Sequence, residues 1–176
     1  MNSDYWGRLV DVTVERCNEC GFDGSKWTDQ EALDAVDNLP IQWRTAVSGL
    51  TVSELHRRPL LDRWSIAEYA DHVREVLYGM RFLLDVAVGQ PGTDLGPSPE
   101  PRFEPEAKAV DLNATLSRID EEVTLLRVSF NALAPNGWAS MVVLDGEDID
   151  PHWIARHAVH DPTHHLLDIE RLRNAL

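Results

Sequence analysis

Residues 112–133 read LNATLSRIDEEVTLLRVSFNAL, and this stretch decides the fold class. Its apolar residues recur alternately four and three positions apart, at Leu112, Leu116, Ile119, Val123, Leu126, Phe130 and Leu133. That spacing places all of them on one face of an α-helix. Because a continuous apolar face must be covered by other helices, the stretch predicts one long helix of a helical bundle.

Further helices are marked by their start signals. Three segments carry a capping box, in which a hydroxyl residue is followed three positions later by Glu, at Thr28, Thr51 and Ser65. The first opens a helix to about residue 50 that Pro40 is expected to kink or split. The third opens a helix that ends near Gly89. A last helix is expected to begin at Asp150 and Pro151 and to run to the C-terminus.

The stretch from residue 90 to residue 109 holds five of the ten prolines and has no apolar period. It predicts a long irregular crossover between the second and third main helices. Residues 141–144 are expected to form a short extended stretch. Together these elements predict an all-α protein, with a four-helix bundle over residues 28–176 and an N-terminal extension over residues 1–27.

Composition limits the classes of function. The net charge of −14 repels nucleic acid and anionic lipid surfaces, so neither is an expected partner. Residues 1–10 show no secretory signal, and no apolar run is long enough to span a membrane. With only two cysteines, the chain lacks the disulfide framework of a small secreted protein. The sequence therefore predicts a cytoplasmic protein with a small-molecule substrate.

Histidines are concentrated on the last helix. At 100° per residue, His160 and His164 lie about 40° apart, so both imidazoles can reach one metal ion. His157 falls near the same stripe, whereas His165 points elsewhere. A third ligand is expected from another helix, and His72 lies at the edge of the apolar face of the third capped helix. A chance arrangement on a histidine-rich helix and an ordinary partly buried histidine stay open as alternatives.

Two segments strengthen the metal hypothesis by resemblance. Trp64-Ser-Ile-Ala-Glu-Tyr-Ala-Asp-His72, followed later by His160-Asp-Pro-Thr-His164-His-Leu-Leu-Asp168, resembles the DinB/YfiT-like family. That family includes the mycothiol-dependent maleylpyruvate isomerase relatives of actinobacteria, and the resemblance covers about residue 30 to the C-terminus. It implies a four-helix bundle with a three-histidine site for a divalent metal at positions that match His72, His160 and His164.

The resemblance also implies a chemistry, and the chain departs from the family at one position. Characterised members look like thiol S-transferases or isomerases that use mycothiol, bacillithiol or a related small thiol. Some mycothiol relatives have Glu in place of one histidine, whereas this chain keeps a full histidine set. Pro162 lies between the two helical ligands, and a kink there would turn His164 away from His160.

These features predict a metal-dependent enzyme. The metal would activate a mycothiol-type thiol or water for transfer to, isomerisation of or hydrolysis of a small organic electrophile. Zinc is expected first, with nickel or iron as alternatives, and mycothiol is a candidate co-substrate. Asp168 is the candidate catalytic residue, as an orienting group for a ligand imidazole or as a base, against the alternative of an exposed helix acid. The alternative function is a non-catalytic metal-binding or small-molecule-binding bundle, with a homodimer as the expected assembly.

A separate motif lies in the extension. Cys17-Asn-Glu-Cys20-Gly21 looks like one knuckle of a zinc ribbon, and such a knuckle needs two further ligands. His56 and His152 are the candidates to complete it. A redox-active dithiol and an inert pair of thiols are the other interpretations.

Overall fold

The protein is described by a computed structural model over residues 15–60, 63–98 and 106–176. The helices in this part are α1 (Asp29–Val47), α2 (Val52–His56), α3 (Ile66–Gly89), α4 (Leu112–Asn131) and α5 (Pro151–Ala175). Short 3-10 helices span Gly24–Lys26 and Pro135–Ala139, and strands β1 (Val142–Leu144) and β2 (Glu147–Ile149) form an antiparallel hairpin. Residues 1–14 lie outside the described residues. They include the first half of the predicted extension and the stretch 1–10, in which the sequence shows no secretory signal.

The start signals read from the sequence are confirmed at three helices. Thr28, Thr51 and Ser65 each accept a hydrogen bond from the backbone N–H three residues later, and the Glu at that position accepts one in return. Asp150 caps α5 by accepting from the backbone N–H of Trp153, with Pro151 as the first helical residue. Satisfying these otherwise unpaired N–H groups fixes where each helix begins.

Four of the helices pack as a bundle, which confirms the predicted fold class. Neighbouring helices contact each other in the order α1, α4, α3, α5 and back to α1. Each helix contributes large side chains that are completely buried, including Trp43, Leu77, Leu126 and Ile154. This order places α3 beside α5, so residues on the facing sides of these two helices can form a site.

Two prolines lie inside helices without ending them. α1 is not split at Pro40, because Leu39 and Trp43 on either side of it are buried in the core and hold both halves in place. α5 likewise runs through Pro162 as one helix. The imidazoles of His160 and His164 stay near each other, with 5.9 Å between their ring centroids.

The crossover after α3 is partly ordered, which the proline-rich sequence did not indicate. The N–H of Leu95 donates to the carbonyl of Val143, and the N–H of Val143 donates to the carbonyl of Thr93. This part of the crossover therefore lies against β1, the extended stretch expected near residues 141–144. Residues 99–105 of the crossover lie outside the described residues.

In the described part of the chain, none of the helices is both long enough and apolar enough to cross a membrane.

Candidate metal centre

Polar side chains occupy two adjacent faces of α5. His160 and His164 lie one turn apart on a face that points toward Cys17 in the N-terminal segment. Asp161 and His165 lie one turn apart on a face about 100° further round the helix, which points toward α3. Each pair has the i, i+4 spacing that sets two side chains next to each other. One helix therefore presents two separate pairs of metal-binding atoms.

The first donor group consists of His72 on α3 and of Asp161 and His165 on α5. Oδ1 of Asp161 lies 3.6 Å from Nε2 of His72 and 3.7 Å from Nε2 of His165. Ligand atoms held about 2.1 Å from a tetrahedral ion lie roughly 3.4 Å from each other. The three side chains are only 14%, 3% and 7% exposed. In type, spacing and burial, these two imidazoles and one carboxylate fit a divalent metal.

Asp168 lies behind this group rather than in it. Nδ1 of His165 is 2.9 Å from Oδ2 of Asp168, close enough to donate a hydrogen bond to it. With the proton on Nδ1, the lone pair of Nε2 faces Asp161 and His72. A carboxylate that orients a ligand imidazole in this way is the usual second partner of a metal-bound histidine. Asp168, the predicted catalytic residue, thus lies where it can orient the imidazole of His165, which is not among the predicted ligands.

The acidic groups of this region are held in their ionised form. Burial alone would raise the pKa of Asp161, but the nearby imidazoles of His165 and His72 lower it well below its ordinary value. Burial likewise opposes the ionisation of Asp168, and the hydrogen bond to His165 together with the charge of Arg63 lowers its pKa. Both carboxylates therefore carry negative charge at neutral pH, as a metal ligand and its supporting group require.

The second donor group consists of Cys17, Cys20, His160 and His164. One ligand atom from each of these residues lies within 4.8 Å of the corresponding atoms of the other three. Sγ of Cys17 is 3.6 Å from Nδ1 of His164. His56 and His152 are the expected partners of the cysteines, but neither lies in this group. His56 contacts the backbone carbonyls of Val52 in α2 and of Val110 before α4. His152 contacts the carboxylate of Asp29.

The structure therefore divides the predicted ligands His72, His160 and His164 between two groups. Among the described residues, no group of donor atoms within 4.8 Å of one another contains all three. The physical reason is the helical register, because His160 and His164 lie about 100° away from the face of α5 that meets α3. On the face that does meet α3, Asp161 and His165 occupy the positions that His72 approaches.

Two side chains of the first group were missed from the sequence, although a signal for them exists. Asp161-x-x-x-His165 has the same i, i+4 spacing as His160-x-x-x-His164. Carboxylates serve beside imidazoles as ligands in many zinc and non-haem iron sites. The sequence contains both pairs one residue apart, and only the orientation of α5 in the bundle distinguishes them.

Two other clusters of donors are explained by hydrogen bonds within them. The carboxylate of Glu15 accepts hydrogen bonds from Nδ1 of both His157 and His160, the former at 2.8 Å. These imidazoles hold the pKa of Glu15 at about 2, against the effect of its burial. The other cluster consists of His164, His165 and Asp168, and within it His165 donates a hydrogen bond to Asp168.

Comparison with solved structures supports the fold. YfiT from Bacillus subtilis, described as a probable metal-dependent hydrolase with an unusual four-helix bundle topology, superposes with a TM-score of 0.70. The similarity covers 85% of this chain and 87% of that chain, at 14% sequence identity. At this identity the likeness shows a shared fold. No curated protein matches the chain.

Comparison of the sequence with family profiles gives a direct assignment. The profile of the DinB superfamily matches residues 36–169, which is most of the chain. The matched range begins inside α1 and ends inside α5, so it contains all of α3 and α4, most of α1 and α5, and both donor pairs of α5. The chain therefore belongs to the DinB superfamily.

Proposed function

We propose that this protein is a divalent-metal-dependent enzyme whose metal is held by His72, Asp161 and His165. The proposal rests on one observation, the convergence of two imidazole nitrogens and one carboxylate oxygen between α3 and α5. The reaction is the attack of a small thiol of the mycothiol type, or of water, on a small organic electrophile. Hydrolysis is supported by the description of YfiT, and thiol transfer by the resemblance of the sequence to mycothiol-dependent relatives.

The number of ligands supports catalysis. Among the described residues, this donor group has three members, whereas a structural metal site of tetrahedral geometry has four protein ligands. A divalent ion held by three such donors lowers the pKa of a bound water or thiol toward neutrality and so supplies a nucleophile. Zinc is the first candidate, and iron and nickel are alternatives because both accept imidazole and carboxylate ligands.

The surrounding residues keep the donors in position. Asp168 holds the proton of His165 on Nδ1, and the guanidinium of Arg171 lies 3.2 Å from Oδ1 of Asp168. The ring of Trp64 lies against that of His72, with 5.0 Å between centroids. These contacts restrict the rotation of both ligand imidazoles, so little conformational entropy is lost when a metal binds.

The test compares turnover with metal content. Protein purified without an affinity tag is stripped with a chelator, reloaded with zinc, iron or nickel, and assayed with an aryl ester and with an aryl halide plus mycothiol. We expect turnover of one substrate class to disappear on stripping, to return on reloading, and to be absent in His72→Ala and His165→Ala. His152→Ala is the matched control, because His152 is a half-exposed histidine on the same helix and should retain activity. Turnover that survives both ligand substitutions would contradict the proposal.

A non-catalytic metal-binding bundle is the second candidate function. The observation that favours it is the burial of the three donors, since Asp161 and His165 are each exposed by less than a tenth. This candidate predicts one metal per chain at the same three residues with no turnover of either substrate class. Loss of the metal in Asp161→Asn together with inactivity of the loaded wild type would support it.

A further inference from the structure

The N-terminal segment and α5 together carry the second donor group. From its geometry we propose that Cys17, Cys20, His160 and His164 bind one Zn²⁺ in a closed structural site. This zinc would fasten residues 15–27 onto the last helix. It is separate from the metal of the proposed function, because the two sites share no ligand.

The cysteines lie on a turn shaped to bring their sulfur atoms together. The N–H of Gly21 donates to the carbonyl of Cys17 at 3.0 Å, and the N–H of Cys17 donates to the carbonyl of Phe22 at 3.0 Å. Gly21 has φ +75°, a conformation that a residue with a side chain adopts only with strain. The turn is closed by an antiparallel bridge between Arg16 and Asp23. This is the compact Cys-x-x-Cys-Gly turn that supplies two ligands to a zinc ion.

The distances fit one tetrahedral ion. With zinc–sulfur bonds of about 2.3 Å and zinc–nitrogen bonds of about 2.1 Å, a sulfur and a nitrogen ligand lie roughly 3.6 Å apart. Sγ of Cys17 and Nδ1 of His164 are 3.6 Å apart. The remaining ligand atoms, from Cys20 and His160, lie within 4.8 Å of these two and of each other. Side-chain rotations that bring the remaining separations to about 3.4–3.8 Å would complete the tetrahedron.

His160 is oriented for this role. Its Nδ1 donates to the carboxylate of Glu15, which is completely buried. Its Nε2 is also buried and makes no hydrogen bond of standard geometry with the described residues, although the ligand atoms of Cys17 and His160 lie within 4.8 Å of each other. A buried nitrogen without a partner costs free energy unless something binds it. A zinc ion at the cysteines would bind this nitrogen, and Glu15 would serve as the supporting carboxylate.

His164 shows the same division of its two nitrogens. Nδ1 faces Cys17, and Nε2 lies 3.8 Å from Oε2 of Glu19, which in turn contacts Arg171. Each of the two histidines thus has one nitrogen near a carboxylate and the other directed at the cysteines.

The site is structural because it is closed, and its zinc would add to the contacts by which Glu15 and Glu19 already hold the segment on α5. Four protein ligands leave a tetrahedral ion with no position for substrate. Residues 15–27 contain one short 3-10 turn and contact α5 through the ring of Phe22, which stacks on His160 at 4.7 Å, and through Arg156, which donates to the carbonyls of Gly24 and Trp27. The binding free energy of a zinc ion would then contribute directly to ordering the segment.

The first test uses wild-type protein and needs no variant that might misfold. Zinc-loaded protein is titrated with a mercurial that modifies thiols, and released zinc is followed with a metallochromic dye. The proposal expects about one zinc per chain to be released as both thiols react. If both thiols of zinc-loaded protein react at once and no zinc is released, the proposal is overturned. A Cys17–Cys20 disulfide that persists after anaerobic reduction and zinc addition would also overturn it.

The second test identifies the ligands with cobalt. Reduced protein loaded with Co²⁺ should show a thiolate-to-cobalt charge-transfer band and the intense ligand-field bands of a tetrahedral ion. Cys20→Ser and His160→Asn should lose the tetrahedral thiolate spectrum, whereas His152→Ala should keep it. His72→Ala should also keep it, which separates this site from the centre of the proposed function. A thiolate band that is absent from the wild type or unchanged in Cys20→Ser would overturn the assignment.

Discussion

The two donor groups on α5 are built from the same helical spacing and differ in what faces them. The face with Asp161 and His165 meets α3, a long helix that is itself part of the bundle and contributes one further donor, His72. The face with His160 and His164 meets an irregular segment that contributes two cysteines. In each group one imidazole directs Nδ1 at a buried carboxylate and Nε2 at the other donors.

The difference shows how the surroundings of a donor pair determine the kind of site. The long helix α3 contributes one donor, so the group facing it has three protein donors in the described residues, one fewer than a closed tetrahedral site. The tight Cys17–Cys20 turn contributes two donors, so the group that contains it has four. We therefore expect a catalytic metal at the group facing α3 and a structural metal, which anchors the N-terminal segment, at the group with the cysteines.

The largest expected effect comes from exchanging a carboxylate for an amide in the group facing α3. Asp161→Asn removes the negative ligand and should lower turnover by at least about 100-fold, because loss of a direct ligand exceeds the effect of losing a supporting residue. The zinc released by thiol modification should stay unchanged. Turnover and metal content are measured on the same sample, and an equal loss of both zinc ions would show that the two groups are not independent.

The second expected effect concerns the N-terminal segment. Cys17→Ser should leave residues 15–27 poorly anchored, and tryptic cleavage after Lys26 should become about ten-fold faster. Mass spectrometry of the fragments over time gives the rate. Ser25→Ala is a control within the same segment, since among the described residues its side chain bonds to Asp23 and Arg16 and not to α5. Equal rates in wild type and Cys17→Ser would show that the cysteines do not anchor the segment.

A smaller effect is expected from the supporting carboxylates, and it should be specific to each group. Asp168→Asn should weaken metal binding at the group with His165 by roughly 10-fold, and Glu15→Gln should do the same at the group with His160. Competition with a chromogenic chelator measures both affinities. A variant that weakens both sites equally would contradict the separation of the two groups.

The smallest expected effect is a loss of folding stability at low pH, and it comes from Glu68 on the helix that carries His72. Glu68 in the first turn of α3 binds Arg58 and the N–H of Lys108, and against the effect of burial these contacts lower its pKa from 4.5 to about 2. Because the folded pKa lies below the unfolded one, the contribution of Glu68 to stability is complete above about pH 5 and is lost as pH falls toward 2.

Denaturant unfolding of metal-free protein tests this pH dependence. The free energy of unfolding of the wild type should fall between pH 5 and pH 2 more steeply than that of Glu68→Gln. The glutamine variant should be less stable at pH 7, and the two curves should converge near pH 2. Parallel curves would show that the Arg58 contact does not stabilise the ionised carboxyl.

Much of the fold could be predicted because its signals are local. The capping boxes at Thr28, Thr51 and Ser65 depend on four consecutive residues, and the spacing of apolar residues in α4 depends only on the helical period. Both are properties of a single element. The partial ordering of the crossover by pairing of Thr93 and Leu95 with β1 was missed because that pairing joins residues far apart in the chain.

The donor groups could be predicted only in part, for a related reason. The sequence predicts metal-binding side chains on α5, but the rotation of α5 about its axis is set by packing against α1 and α3. A rotation of about 100° decides whether His72 meets His164 or His165. A zinc knuckle is one of the three interpretations that the sequence allows for the cysteine turn, and it suggests His56 or His152 as further ligands because no local pattern connects Cys17 with α5.

The contact between Cys17 and His164 joins residues 147 positions apart, and this separation has a consequence for biosynthesis. At ribosomal rates of about 5–20 residues per second, the thiols are made roughly 7 to 30 seconds before the histidines that face them. Throughout that interval the N-terminal turn lacks its partner helix, and any product terminated before α5 keeps both sulfur atoms accessible. Thiol accessibility in cell extracts would therefore report how many copies of the chain were completed.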